Sequence, residues 1–143
     1  MASILHDFPI RAAAAKVFDC VATPAGLDSW WTKGASGLPC EGNEYALFFG
    51  DGYHWGAVVS ACDPPREFEL TMTRADGDWT GSRVGFSFEE REGVTHVRFR
   101  HTGWPEENDH YRISSFCWAM YLRLLKRYAE SGEIVEYEDR LDA

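Results

Sequence analysis

The chain has 143 residues, a length suited to one folded domain spanning residues 1–143, and its hydrophobic fraction of 45% and aromatic fraction of 15% exclude a disordered chain. Fourteen basic against 23 acidic residues give a formal net charge of −9, which repels phosphate backbones, so a nucleic-acid partner is excluded. The four cysteines form no Cys-x-x-Cys pair, and neither a signal-peptide pattern nor a membrane-length apolar run is present, so we expect a cytoplasmic protein with reduced thiols and no membrane insertion.

The first third of the chain predicts one strand and two helices. Residues 3–10 favour a strand, and the alanine-rich residues 11–22 carry an apolar stripe at helical spacing. Thr23-Pro24 suits the start of a second short helix over residues 23–31, which places Trp30-Trp31 at a helix end. The glycine-rich residues 34–42 are expected to form a flexible lid or entrance.

Residues 44–101 predict five antiparallel strands, because apolar side chains recur there at every second position in five runs. Short links rich in Gly, Asp and Pro join the runs. The opposite face is charged, which is typical of a sheet with one face in water. By the same alternation, Arg74 continues the apolar face beyond Met72, and His101 continues it beyond Phe99. We therefore expect both polar side chains to point inward.

The last third predicts a long amphipathic helix that packs on the dry face of the sheet. Asn108 or Asp109 can cap its start, and Gly132 is placed to stop it. The acidic residues 133–143 that follow are expected to lie on the surface. The apolar residues expected to face the core from this helix are Ile113, Phe116, Cys117, Met120, Tyr121, Leu124 and Tyr128.

Five motifs in this order resemble the activator of heat-shock-protein-90 ATPase homologue family, a member of the START-like (SRPBCC) superfamily: Trp30-Trp31, His101-Thr-Gly-Trp104, Phe116-Cys-Trp118, Leu122-x-x-Leu125 and Gly132-Glu133-x-x-x-Tyr137-Glu-Asp-Arg140. The resemblance runs over residues 4–140. It implies an α+β helix-grip (Bet v-like) fold, with a curved antiparallel sheet around a long C-terminal helix and two short helices after the first strand. It also implies a hydrophobic cavity between the sheet and that helix.

Side chains that point into such a cavity, or close its mouth, are the candidate ligand contacts. Trp30 and Trp31 either roof the cavity or plug the core. Arg74 and His101 either orient a polar group of the ligand or bond to the protein at strand ends. The full set of candidates is Trp30, Trp31, Trp55, Arg74, Phe86, Phe99, His101, Trp104, Met120 and Tyr121.

The leading hypothesis for function is non-catalytic binding of a small hydrophobic or amphipathic molecule. One alternative is a cyclase-like or hydrolase-like enzyme in which His101 acts as acid or base near Tyr111 or Arg74. The other is a co-chaperone-type module that binds a chaperone or another protein, since the superfamily hosts several functions and a fold does not fix one. The chain has no known catalytic motif and no histidine pair with metal-ligand spacing on one helix, so we expect no catalytic residue, cofactor or metal.

Overall fold

The computed structural model describes residues 1–143 and contains a seven-stranded antiparallel sheet and three helices. The strand order in the sheet is β1-β7-β6-β5-β4-β3-β2. Two short 3-10 segments, Gly77–Trp79 and Tyr137–Asp142, complete the fold. The strands and helices in chain order are β1 (Ala2–Ile10), α1 (Ala14–Ala22), α2 (Pro24–Asp28), β2 (Gly34–Ser36), β3 (Glu44–Phe48), β4 (His54–Asp63), β5 (Glu67–Arg74), β6 (Arg83–Arg91), β7 (Val94–Trp104) and α3 (Asp109–Ser131).

The helix-grip architecture expected from the sequence is confirmed. The five strands predicted over residues 44–101 are β3 to β7, and short links join each to the next. The short edge strand β2 was not expected, because its three residues lie in the segment predicted to be a flexible lid. Ala35 of β2 pairs with Leu47 of β3, so the start of that segment is part of the sheet.

The two short helices are held by different caps. α1 starts at Ala14, three residues later than expected, and its backbone N–H donates to Oε1 of Glu90 in β6 at 2.7 Å. This carboxylate supplies the acceptor that the N-cap Ala13 lacks. In α2, Oγ1 of Thr23 accepts from the Gly26 N–H at 3.0 Å, as the sequence predicted. α2 ends at Asp28, so the two tryptophans lie in the turn that follows it.

The predicted ends of α3 are confirmed, whereas its predicted core face is right for Leu124 and wrong for Ile113 and Phe116. Asn108 caps the start of α3, and Gly132 ends it in the left-handed region at φ 79°. Ile113 and Phe116 were expected in the core but are 62% and 79% exposed. Because α3 has apolar residues around most of its circumference, helical period alone does not identify the buried face. The buried residues of α3 are Leu124, as expected, together with Ser114, Trp118, Leu122, Leu125 and Ala129.

The C-terminal segment is anchored to the fold by one arginine. Most of residues 133–143 are exposed, as expected, but Arg140 is buried. Its guanidinium donates to the carbonyl oxygens of Val135 at 2.9 Å, Thr32 at 3.2 Å and Asp28 at 2.7 Å. The end of the chain therefore fastens the turn that carries the tryptophan pair. None of the three helices is long and apolar enough to cross a bilayer.

Candidate functional site

Aromatic rings occupy the space between the inner face of the sheet and α3, where the sequence predicted a ligand cavity. The ring of Trp31 lies 5.1 Å from Trp118 of α3 and 5.2 Å from Phe49, measured between centroids. Phe99 of β7 lies 4.6 Å from Trp118 on the other side. Two depressions of about 550 and 540 Å³ lie away from these rings, one on the outer face of the sheet and one on the outer side of α3.

Trp79 lies at the centre of this aromatic interior. Its ring centroid is 4.5 Å from His101, 5.1 Å from Trp55, 5.6 Å from Trp118 and 6.3 Å from Trp104. Trp79 belongs to the 3-10 segment that links β5 to β6, and the other residues of that link are exposed or half-buried, except Ser82, which is buried. It is thus a buried ring on a surface loop.

The loop that carries Trp79 is closed on itself. Oγ1 of Thr80 donates to the Ala75 carbonyl at 2.7 Å and accepts from the Ala75 N–H at 3.2 Å. Inside the fold, Nε1 of Trp79 donates to Oγ of Ser114 in α3 at 3.1 Å. A few hydrogen bonds therefore determine whether the ring stays between the sheet and the helix.

The imidazole of His101 points inward, as strand alternation predicted, and it is fully buried. Nε1 of Trp118 lies 3.0 Å from Nδ1 of His101, and an indole nitrogen can only donate, so Nδ1 accepts. The proton is consequently on Nε2, which donates to Oγ of Ser82 at 2.7 Å. Ser82 in turn donates to the Trp79 carbonyl at 2.6 Å.

This environment keeps His101 neutral. Burial, with a smaller contribution from the charge of His110, lowers the pKa of His101 to about 3. Both ring nitrogens are engaged by protein groups, which leaves no free lone pair or proton for a substrate. Tyr111, the proposed catalytic neighbour, donates its hydroxyl to the Ser3 carbonyl at 2.8 Å. The structure does not assemble the acid–base pair of the enzyme hypothesis.

Two buried indole donors in the interior have no hydrogen-bond partner. Nε1 of Trp55 and Nε1 of Trp104 are both inaccessible to solvent and unpaired. Trp55 and Trp104 each contact the ring of Trp79. An unpaired buried donor costs about 1–3 kcal/mol, so two of them on rings that both contact Trp79 are unusual in a closed core.

The structure divides the predicted ligand contacts into interior and exterior residues. Arg74 was expected to point inward but is exposed, and its Nε donates to the His54 carbonyl at 2.9 Å. Met120 lies in the depression on the outer side of α3. Tyr121 is half-buried beside the C-terminal segment, and burial raises its pKa to about 12. The remaining interior residues are Trp30, Trp31, Trp55, Phe86, Phe99, His101 and Trp104.

The two adjacent tryptophans have different surroundings. Trp30 is fully buried, and its Nε1 donates to the Cys20 carbonyl at 2.9 Å, so it anchors α1 in the core. Trp31 instead contacts Trp79 and Trp118, with centroids 6.5 Å and 5.1 Å away. Of the pair, Trp31 is therefore the ring that contacts Trp79 and Trp118.

Sequence reasoning missed Trp79, Ser82, Ser114 and Trp118, which build the hydrogen-bonded centre of the interior. Ser82 and Trp79 lie outside the alternating runs, and Trp118 lies off the helical stripe that was chosen. The available signal was a tryptophan within the polar link Ala75–Ser82, because so large an apolar ring is rarely left in water.

Comparisons with known proteins agree with this architecture. The family model described as Activator of Hsp90 ATPase homolog 1-like protein matches residues 11–130. The solution structure of the Aha1 dimer from Colwellia psychrerythraea is 29% identical with a TM-score of 0.82, and the match covers 93% of this chain and 99% of that one.

More distant solved structures share the fold. Protein SSP2350 from Staphylococcus saprophyticus is 17% identical with a TM-score of 0.79, over 94% of this chain and 96% of that one. CalU16 from Micromonospora echinospora is 21% identical with a TM-score of 0.73, over 92% and 67%. Among curated proteins, none matches the chain.

Proposed function

Since this chain belongs to the family of Activator of Hsp90 ATPase homolog 1-like proteins, whose helix-grip fold it shares, we propose that it binds a small hydrophobic or amphipathic molecule, without transforming it, in the aromatic interior between the sheet and α3. The ligand enters by displacing the ring of Trp79. The protein thus alternates between a closed form, in which its own indole fills the site, and an open form that holds the ligand.

The observation that carries this proposal is the pair of unpaired donors beside Trp79. In the closed form, Nε1 of Trp55 and Nε1 of Trp104 lack acceptors. A ligand that takes the place of Trp79 would contact both of these rings, and a carbonyl, carboxylate or hydroxyl oxygen on it would accept from whichever N–H group it reaches. The apolar body of the ligand would rest on the surrounding rings, where burial contributes about 25 cal/mol per Å².

The position of Trp79 favours such an exchange. The ring belongs to a loop whose Ala75–Thr80 bonds are local, so outward movement of the loop keeps those bonds. The movement breaks the bond from Asn108 to Asp78 and the bond from Ser82 to the Trp79 carbonyl. Displacement breaks the bond from Trp79 Nε1 to Ser114 and costs the burial of one indole. A ligand of similar apolar area that satisfies an orphan donor offsets both losses.

The test is a ligand panel of fatty acids, sterols and aromatic polyketides, assayed by thermal shift and native mass spectrometry. We expect a member of the panel to bind the wild type, and the Trp79→Ala variant to bind it at least as tightly because the competing ring is gone. The matched control is Phe18→Ala, which opens a cavity among Phe68 and Phe88 beneath α1. The proposal fails if Trp79→Ala folds and binds nothing.

A second comparison tests the role of the orphan donors. Trp104→Phe retains most of the ring but removes its N–H, so it should weaken a ligand that carries an oxygen acceptor by roughly threefold to tenfold. The affinity of a pure hydrocarbon should change less. Equal effects on both ligands would show that Trp104 contributes only its ring.

We do not extend the proposal to catalysis, because His101 has no free nitrogen and its pKa is far below neutrality. The co-chaperone hypothesis has less support in the fold than ligand binding. The acidic C-terminal segment is fastened to its own chain through Arg140, and a chaperone would have to bind it in that fixed position.

A further inference from the structure

The outer face of α3 carries a stripe of six residues with the spacing of a coiled-coil seam. They are separated by four, three, four, three and four positions, the repeat of the a and d sites in a heptad. Five of the six are exposed and Met120 is half-buried, so most of the stripe faces solvent. In order along the helix, the seam residues are Asp109, Ile113, Phe116, Met120, Arg123 and Arg127.

The seam is complementary to the same seam on a second copy when the two helices run antiparallel. An antiparallel second copy centred between Phe116 and Met120 places each of these side chains over the other, an aromatic ring against a thioether. The same register places Asp109 over Arg127 at both ends of the seam. In antiparallel coiled coils a positions pack against d positions, and every pair formed here obeys that rule.

We propose that the seam is a homodimer interface in which α3 packs antiparallel to α3 of a second copy. This surface is independent of the interior site proposed above, since the seam lies on the opposite side of α3 from Trp118. The charges favour a second copy as the partner, because the acidic end of the seam at Asp109 is complementary to the basic end at Arg123 and Arg127. A second copy supplies both ends from the same sequence. In the dimer, Arg127 would pair with Asp109 of the second copy in addition to, or in place of, Glu133 of its own chain.

The exposed apolar groups supply the affinity. Phe116 and Ile113 are 79% and 62% exposed in the single chain, an unusual state for two large side chains one turn apart. Beside them lies the depression of about 540 Å³, lined in part by Met120, Leu124 and Leu141. A helix of 23 residues is about 35 Å long, enough to present the whole seam to a partner.

Sedimentation velocity from about 1 to 200 µM tests self-association, a range that spans the dissociation constants of weak and moderate dimers. We expect a monomer–dimer equilibrium. Phe116→Glu should raise its dissociation constant at least roughly tenfold, because the new carboxylate would be buried against Met120 of the second copy. The matched control is Leu5→Glu, since Leu5 is 67% exposed on β1, away from the seam, and should leave the equilibrium unchanged.

Charge exchange tests the antiparallel register. Asp109→Lys alone places Lys over Arg127 twice, and Arg127→Glu alone places Glu over Asp109 twice, so each variant should be monomeric. Mixing the two variants restores an attractive pair at both ends, and the mixture should form a heterodimer. Arg127 also pairs with Glu133 of its own chain, but loss of that pair cannot produce rescue by mixing.

Three results would overturn the proposal. A wild type that stays monomeric throughout the concentration range would contradict the homodimer and would indicate that a different protein binds the seam. A dimer that Phe116→Glu does not weaken would lie elsewhere on the surface. Variants that dimerise alone, or that fail to dimerise when mixed, would contradict the antiparallel register.

Discussion

The neutral, doubly bonded imidazole of His101 makes the stability of the protein depend on pH. In the unfolded chain a histidine takes up a proton near pH 6.5, whereas folded His101 resists protonation until about pH 3. The folded-state pKa is lowered, so the unfolded state binds more protons in this window. His101 therefore contributes its full stabilisation above pH 6.5 and loses it as the pH falls toward 3.

We expect His101→Gln to remove up to about 1.4 kcal/mol per pH unit from the slope of the unfolding free energy between pH 6.5 and 4. Urea titrations at several pH values would measure the slope. His96→Gln is the control, because His96 is exposed on the outer face of the sheet and should not change it. Parallel curves for wild type and His101→Gln would mean that the pKa of His101 is the same in the folded and unfolded states.

The unpaired N–H of Trp104 predicts that replacing Trp104 and replacing Trp30, both fully buried, will cost different amounts of stability. Trp30→Phe removes a bonded N–H and deprives the Cys20 carbonyl of its donor, whereas Trp104→Phe removes an N–H that bonds to nothing. We expect Trp30→Phe to be more destabilising by about 1–3 kcal/mol in urea unfolding. Equal losses would indicate a partner for Trp104, such as an internal water.

For single residues, the sequence predicted the direction of a side chain better than its hydrogen-bond partners. Strand alternation correctly turned His101 inward, because the period of two is a property of the backbone. It failed for Arg74 at the end of β5, where a long side chain can turn back to the carbonyl of His54 at the start of β4. Trp79 could not be found in this way, since a loop has no period.

Among the elements, the C-terminal segment is held mainly by Arg140, which is its one buried side chain and makes three of its hydrogen bonds to backbone carbonyls. Arg140→Ala leaves the carbonyls of Thr32 and Asp28 without their charged donor. We expect a loss of about 2–4 kcal/mol in urea unfolding, since hydrogen bonds to charged groups are worth about 1.5–3 kcal/mol each. Arg112→Ala, at an exposed position of α3, is the control and should cost little. A small effect of Arg140→Ala would mean that the segment is held by Tyr137 instead.

The packing of α1 against α2 depends on a glycine. A Cβ at Gly26 would lie 2.4 Å from the Asp19 carbonyl oxygen and 2.6 Å from that of Cys20. Gly26→Ala must therefore push the two helices apart, and we expect it to cost about 1–3 kcal/mol in thermal or urea unfolding. Gly34→Ala meets only Phe48 at 3.8 Å and should be close to neutral. Similar costs for the two changes would rule out close helix contact.

Elements with a distinct local signal were predicted well, and those without one were not. The caps of α3 at Asn108 and Gly132 were identified because capping depends on residue type. The face of α3 was misassigned because the choice between Phe116 and Trp118 depends on what the sheet presents, which lies far away in the sequence. β2 was missed for the same reason, since three residues become a strand only through pairing with β3.

For the whole molecule, the order of assembly follows from the pairing of the first strand with the last. β3 to β7 are joined by short links, whereas β1 and β7 pair although most of the sequence lies between them. We expect Ile10→Val in β1 mainly to accelerate unfolding and Phe68→Leu in β5 mainly to slow folding, as measured by stopped-flow chevrons. Equal folding-rate effects would place β1 in the folding nucleus.

The pairing of β1 with β7 also constrains how the protein is made. On the ribosome, residues 2–10 emerge before residues 94–104 and have no partner in the sheet until those residues have left the exit tunnel. At about 5–20 residues per second, the first strand waits for several seconds with its edge open. Pro9 and Asp7, placed within it, weaken pairing with neighbouring nascent chains during that delay.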